Sequence, residues 1–227
     1  MTKKATHTIL TEKYISLLKD PKHFFTKVKK EHSIHPALFF AVTLTIFGGI
    51  INILITLPLL LQKIGSFQTV TWIAQLLTLV YLPIYTVIYA ALAAVIILAI
   101  LHLLKVQHNS FQTNFKIVAY TQTISIIYAI CGTILVLAAE LITGQSINTM
   151  LVSLFSGTVA QTPAMAIVYL IAAIPLTIAS WVHVLWAMMH AFTSNYSMKK
   201  PAAIFLSIGS LLLSFVIIVG ILSMVSL

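Results

Sequence analysis

Residues 36 to 61, PALFFAVTLTIFGGIINILITLPLLL, run for 26 positions without one charged side chain. A hydrocarbon core about 30 Å thick is crossed by roughly 20 helical residues, so this segment is long enough to span a bilayer. Lipid offers no hydrogen-bond partners to peptide groups, which leaves the helix as the conformation for a run of this length. Barrel strands would be about ten residues long and alternating in polarity.

Four more runs of the same kind follow. Residues 72 to 104 form a stretch longer than one crossing needs and too short for two with a turn. Pro83 divides it, predicting an interfacial or kinked lead-in over 72 to 82 and a second span over 83 to 104. A third span is predicted over 116 to 142, a fourth over 163 to 192 with a bend at Pro175, and a fifth over 201 to 225. The expected fold class is an all-α integral membrane protein, a five-span helix bundle over 36–227 preceded by an N-terminal amphipathic cytoplasmic segment over 1–35. Composition agrees: of 227 residues 60% are hydrophobic and only 7% charged, with a mean hydropathy of +1.06, against roughly 25% charged in ordinary soluble domains. Residues 1 to 35 lack the apolar core and cleavage site of a secretory signal, so the first span is expected to direct its own insertion.

Charge placement orients the bundle. All 13 basic residues are lysine, and twelve of them fall in the N-terminal segment, the second connection and the fourth connection, with Lys63 alone on the other side. The positive-inside bias then predicts a cytoplasmic N-terminus and an external C-terminus. The lack of arginine, with abundant Ile and Thr, points to an AT-rich prokaryotic genome, so the prokaryotic cytoplasmic membrane is the expected location.

Asp20-Pro21 is a helix start, Asp as N-cap and Pro at the first helical position. On the helix it opens, Phe24 and Phe25 share a side while Lys22, Lys27, Lys29 and Lys30 spread over the rest, the pattern of an interfacial helix on an anionic leaflet. These six residues are the candidate membrane-surface site. Upstream, Leu10, Tyr14, Leu17 and Leu18 follow helical spacing and predict a second amphipathic helix. The positive-inside rule alone also accounts for the lysines, so topology without lipid binding stands beside that reading. Nucleic acid is not an expected partner: no arginine is present for bidentate contacts, and no binding module is present.

Intramembrane ionisable residues are functional candidates by default, which singles out His102, His183, His190 and Glu140. His183 and His190 are seven residues apart, about 10 Å along a helix, too far to share a metal ion. Interhelical hydrogen bonding is the expected use of the histidines, and no metal or other cofactor is predicted. Glu140, near the outer end of the third span, reads as a water-facing helix-end residue, since coupled carriers pair their acids at mid-membrane. The chain carries no His-Glu-x-x-His, nucleophile elbow, paired carboxylates or Gly-rich phosphate loop, so no enzyme is expected.

Three stretches, LLKDPKHFF (17 to 25), SFQTNFKIVAY (110 to 120) and WVHVLWAMMHAFTSNYSMKKPAAIFL (181 to 206), are similar to the Yip domain family, the Ypt/Rab-interacting-protein-like five-span membrane proteins. Phe111, Phe115, Ala119, Tyr120, Trp181, Trp186, Lys200 and Ala202 match positions where its members carry similar residues. The resemblance implies a non-enzymatic scaffold or accessory protein, exporter-associated or membrane-organising, whose partners are the lipid bilayer and other integral membrane proteins. Eukaryotic members carry an acidic Asp-Leu-Tyr-Gly-Pro type motif before the first span. Its absence here argues against a Rab-type GTPase as partner, and the lysine-only, Ile- and Thr-rich composition points to a prokaryotic-type member. The rival expectation is a small-solute transporter or channel with His102, His183 and His190 lining a cytoplasmic vestibule.

Overall fold

The structure is a computed structural model that describes residues 3–62, 68–143 and 174–225. Among these it is all-helical, with α1 (Lys3–Lys19), α2 (Pro21–Val28), α3 (His35–Gln62), α4 (Gln68–Leu103), α5 (Phe111–Gln122), α6 (Ile124–Thr143), α7 (Ile174–Tyr196) and α8 (Lys200–Val225). Four stretches of the described residues are long and apolar enough to cross a membrane: His35–Ile55, Leu76–Leu103, Phe111–Leu135 and Ile174–Tyr196. In α8 the shorter stretch Lys200–Ser214 is also apolar.

Two boundaries differ from the sequence expectation. Helix α4 runs unbroken through Pro83 for 36 residues, about 54 Å at 1.5 Å per residue, so residues 72 to 82 continue the helix. One missing amide hydrogen bond is tolerated inside a long apolar helix, where no competing hydrogen-bond partner draws the chain away. The third apolar run begins at Phe111, five residues before Lys116, because Ser110 caps α5 by accepting the Thr113 amide at 3.2 Å. That run is interrupted at Thr123, where two successive i to i+3 hydrogen bonds separate α5 from α6. The first eleven residues of the expected fourth span, and the connection 144 to 162, lie outside the described residues.

Helix α3 packs on α4, α5 and α6, while α7 packs on α6 and α8, and α8 returns to α4. Small residues permit these approaches: a methyl at Gly48 would stand 2.6 Å from Ile126 Cγ2, and one at Gly49 2.9 Å from Leu79 Cδ2. Ala90, Ala93 and Ala94 are likewise buried on α4. Polar pairs join the helices, Thr133 Oγ1 donating to Asn52 Oδ1 at 2.9 Å and Thr45 meeting Thr86 at 3.3 Å. The outward faces carry large apolar side chains such as Phe47, Leu54, Val80, Val182 and Phe205, the surface that lipid solvates. Cys131 also faces outward.

Candidate functional site: the seat of the N-terminal helices

Asp20 Oδ1 accepts the His23 amide at 3.1 Å and Pro21 opens α2, so this helix starts as its sequence dictates. Its phenylalanines do not face lipid. Phe24 is 3% and Phe25 0% exposed, both sealed in the protein core with Val28 and Leu17. Phe24 packs edge-on to Phe25 at 5.1 Å and to Tyr120 at 4.9 Å, and Tyr120 in turn meets Phe40 at 5.2 Å. The expected insertion of these two rings into the leaflet is therefore corrected: the apolar side of α2 is covered by α1, α7 and the Tyr120 ring of α5, where ring-on-ring geometry adds to simple burial. Lys22, Lys27, Lys29 and Lys30 stay exposed on the other side, and Lys29 Nζ reaches the Ser194 carbonyl at 3.5 Å.

A part-buried charge cluster fixes this seating. Lys13 Nζ on α1 lies 2.7 Å from Glu31 Oε1, and the Tyr120 hydroxyl stands 3.0 Å from both Glu31 oxygens and donates to the carboxylate. The Lys13 ammonium also donates to the Tyr120 hydroxyl and sits 4.6 Å from its ring centroid. Lys116, only 4% exposed, donates to the Glu31 carbonyl at 2.8 Å and to the Val28 carbonyl at 3.4 Å. The Val28 carbonyl also accepts the Glu31 amide at 3.0 Å, and a cation at this end of α2 complements the helix dipole. Lys116 thus holds α2 from inside the bundle, although its place in a connection had suggested a topology signal.

The end of α1 is received in a parallel way. His183 Nε2 lies 3.1 Å from the Leu18 carbonyl, which only accepts, so Nε2 carries the proton. Its Nδ1 lies 3.0 Å from the Tyr128 hydroxyl, so a single imidazole joins α1, α6 and α7. Tyr14 on α1 donates to the Thr123 carbonyl at 3.0 Å, at the interruption between α5 and α6. Burial pushes its phenol up to about 12, against a smaller lowering by the backbone hydrogen bond of Ile127, so it remains a donor. Nearby, Asn114 is fully buried and accepts the Tyr196 hydroxyl at 2.6 Å while its amide donates to Asn109 at 3.1 Å.

The three histidines do not form one vestibule. His183 is engaged as above, His190 packs edge-on to Trp186 at 5.3 Å, and His102 is exposed at the end of α4. Among the described residues no group of three or more metal-ligating side chains occurs. Two clefts between the helices, of about 420 and 360 Å³, are lined by residues such as Tyr85, Gln122 and Ser125, with no histidine, lysine or carboxylate among them. The Glu140 side chain lies outside the described residues. Sequence reasoning missed Lys13, Glu31 and Lys116 as a unit. One signal was available: Glu31 is the only acid near the first span, and Tyr120 ends a stretch already singled out by resemblance.

These features define a class, an integral membrane protein of packed apolar helices with an N-terminal helix pair seated on it by two lysines, a glutamate and a tyrosine. A family model for the Yip1 domain matches residues 15–222, nearly the whole chain, and the chain belongs to that family. The match includes Glu31, Lys116, Tyr120 and His183 and excludes Lys13. No curated protein and no solved structure matches the chain.

Proposed function

We propose that this Yip1-domain protein is a non-enzymatic five-span membrane protein that acts as a scaffold or accessory partner of other integral membrane proteins, in an exporter-associated or membrane-organising role. One observation carries the reading. Glu31 is engaged by Lys13 and Tyr120, and Lys116 by the Val28 and Glu31 backbone carbonyls. That leaves a basic cap above long apolar flanks, the surfaces that lateral partners and lipid meet. Residues 1–35 are the cytoplasmic part, and α8 is the fifth crossing.

Affinity purification of the intact protein in mild detergent, followed by mass spectrometry, should recover specific integral membrane proteins. A partner-free protein that moves solutes in liposomes, with flux abolished by His102→Ala or His190→Ala, would replace the scaffold with the transporter. Topology has its own check. Cysteines introduced at Ser110 and Leu227, in a chain with Cys131→Ser, should be labelled from the cytoplasmic and external sides respectively. Labelling of position 227 from the cytoplasm removes the five-span reading.

A further inference from the structure

Gln122 closes α5 inside Phe111–Leu135, a stretch long and apolar enough to cross a membrane. Among the described residues its Oε1 is a buried side-chain atom without a hydrogen-bond partner. An unpaired amide oxygen away from water is costly, so a ligand that brings a donor to it gains more than it would in water. Gln122 lines both clefts of the bundle, which also share Tyr85 and Ser125 and have volumes of about 420 and 360 Å³. Each falls in the range of roughly 300–1,000 Å³ that small ligands occupy.

Other polar groups of the larger cleft already donate within the protein. Thr121 donates to the Ile117 carbonyl at 2.8 Å, Ser210 and Ser214 to carbonyls of their own helix at 3.0 and 2.6 Å, and Ser180 to Ser125 at 3.3 Å. Rings and alkyl groups form most of its walls, with Tyr85 and Tyr89 on successive turns of α4, centroids 6.0 Å apart, facing a space shared with Ile97 and Met188. Trp181, in the same wall, is 44% exposed, so the cleft reaches the outer surface of the bundle.

These features specify an occupant. Apolar walls call for a hydrocarbon chain, and a lining without lysine, histidine or carboxylate calls for an uncharged head. The single unpaired amide calls for one hydrogen-bonding group, and a hydroxyl, which both donates and accepts, meets the amide in either orientation. We propose that the cleft binds an uncharged long-chain lipid with one free hydroxyl, of the diacylglycerol or prenol type, its hydroxyl on the Gln122 amide and its chain along Tyr85, Tyr89 and Trp181. Such a ligand enters from the bilayer and requires no path to water. The inference does not depend on the scaffold role.

Native mass spectrometry of the full chain in neutral detergent tests it, with titration of dioleoylglycerol, geranylgeraniol and the acetate ester of each. The acetates keep the chains and lose the hydroxyl donor, so the better of the two alcohols should bind roughly ten-fold more tightly than its own acetate. The tighter alcohol identifies the source of the ligand. In Gln122→Leu that preference should fall to parity with acetate binding retained, and the variant should melt no lower than the unaltered chain, because it removes an unpaired polar group. Equal affinity for alcohol and acetate in the unaltered chain, or a preference that survives Gln122→Leu, would overturn the site. Dioleoylphosphatidic acid should leave bound dioleoylglycerol in place, and displacement by it would overturn an uncharged occupant.

Discussion

Replacing Glu31 by alanine should release the N-terminal helix pair from the bundle while leaving the membrane helices folded. The substitution removes the carboxylate that accepts from Lys13 and Tyr120 and leaves the Lys13 ammonium, already drawn out of water, without its counter-charge. Hydrogen bonds to charged groups contribute roughly 1.5–3 kcal/mol each, and part of the loss is recovered because these side chains are not wholly buried. A net loss of about 2–3 kcal/mol in the seating of α1 and α2 corresponds to roughly 30- to 150-fold more frequent opening. Trypsin reads this directly, since Lys19, Lys22, Lys27, Lys29 and Lys30 all lie in or beside the seated segment. Cleavage there should accelerate by that factor. Tyr120→Phe should act in the same direction with a smaller effect, and the double variant should add little, because both remove parts of one network. An unchanged cleavage rate in Glu31→Ala would show that the network does not hold the segment.

Phe25→Ala should have the largest effect on melting. The ring is 0% exposed and packed against Phe24, and removing such a ring from a core costs about 3–5 kcal/mol. For a domain of this size that lowers the melting temperature by roughly 10 °C. The measurement belongs in a neutral detergent, where no anionic surface contributes. If the phenylalanines instead served as lipid anchors, melting there would be unchanged and only binding to anionic vesicles would fall. Lys27→Gln supplies the contrast, because its exposed ammonium has no partner among the described contacts and its loss should leave the melt in place.

The helical character of the chain and the approximate positions of its apolar segments were legible in the sequence, because the peptide group in hydrocarbon has no alternative to internal hydrogen bonding. The start of α2 was legible too, since Asp20 and Pro21 act locally. So was the two-sided pattern of α2, with Phe24 and Phe25 on one side and lysines on the other. What covers those residues was not. Periodicity reports that a face is apolar, but protein core and lipid tails are nearly equivalent solvents for phenylalanine, so hydrophobicity alone does not choose between them.

The choice is made by contacts between residues far apart in the chain. Tyr120 meets Phe24 and Glu31, Lys116 reaches the end of α2, and His183 reaches the end of α1. No local pattern encodes a pairing across 85 or more residues, and a lysine in a connection reads the same whether it faces water or caps a buried helix. Sequence determined which elements form and which of their faces avoid water. Tertiary structure decided that α1 and α2 satisfy those faces on the protein itself, because there the apolar surface, the carbonyls near the helix ends and the part-buried charges find partners together.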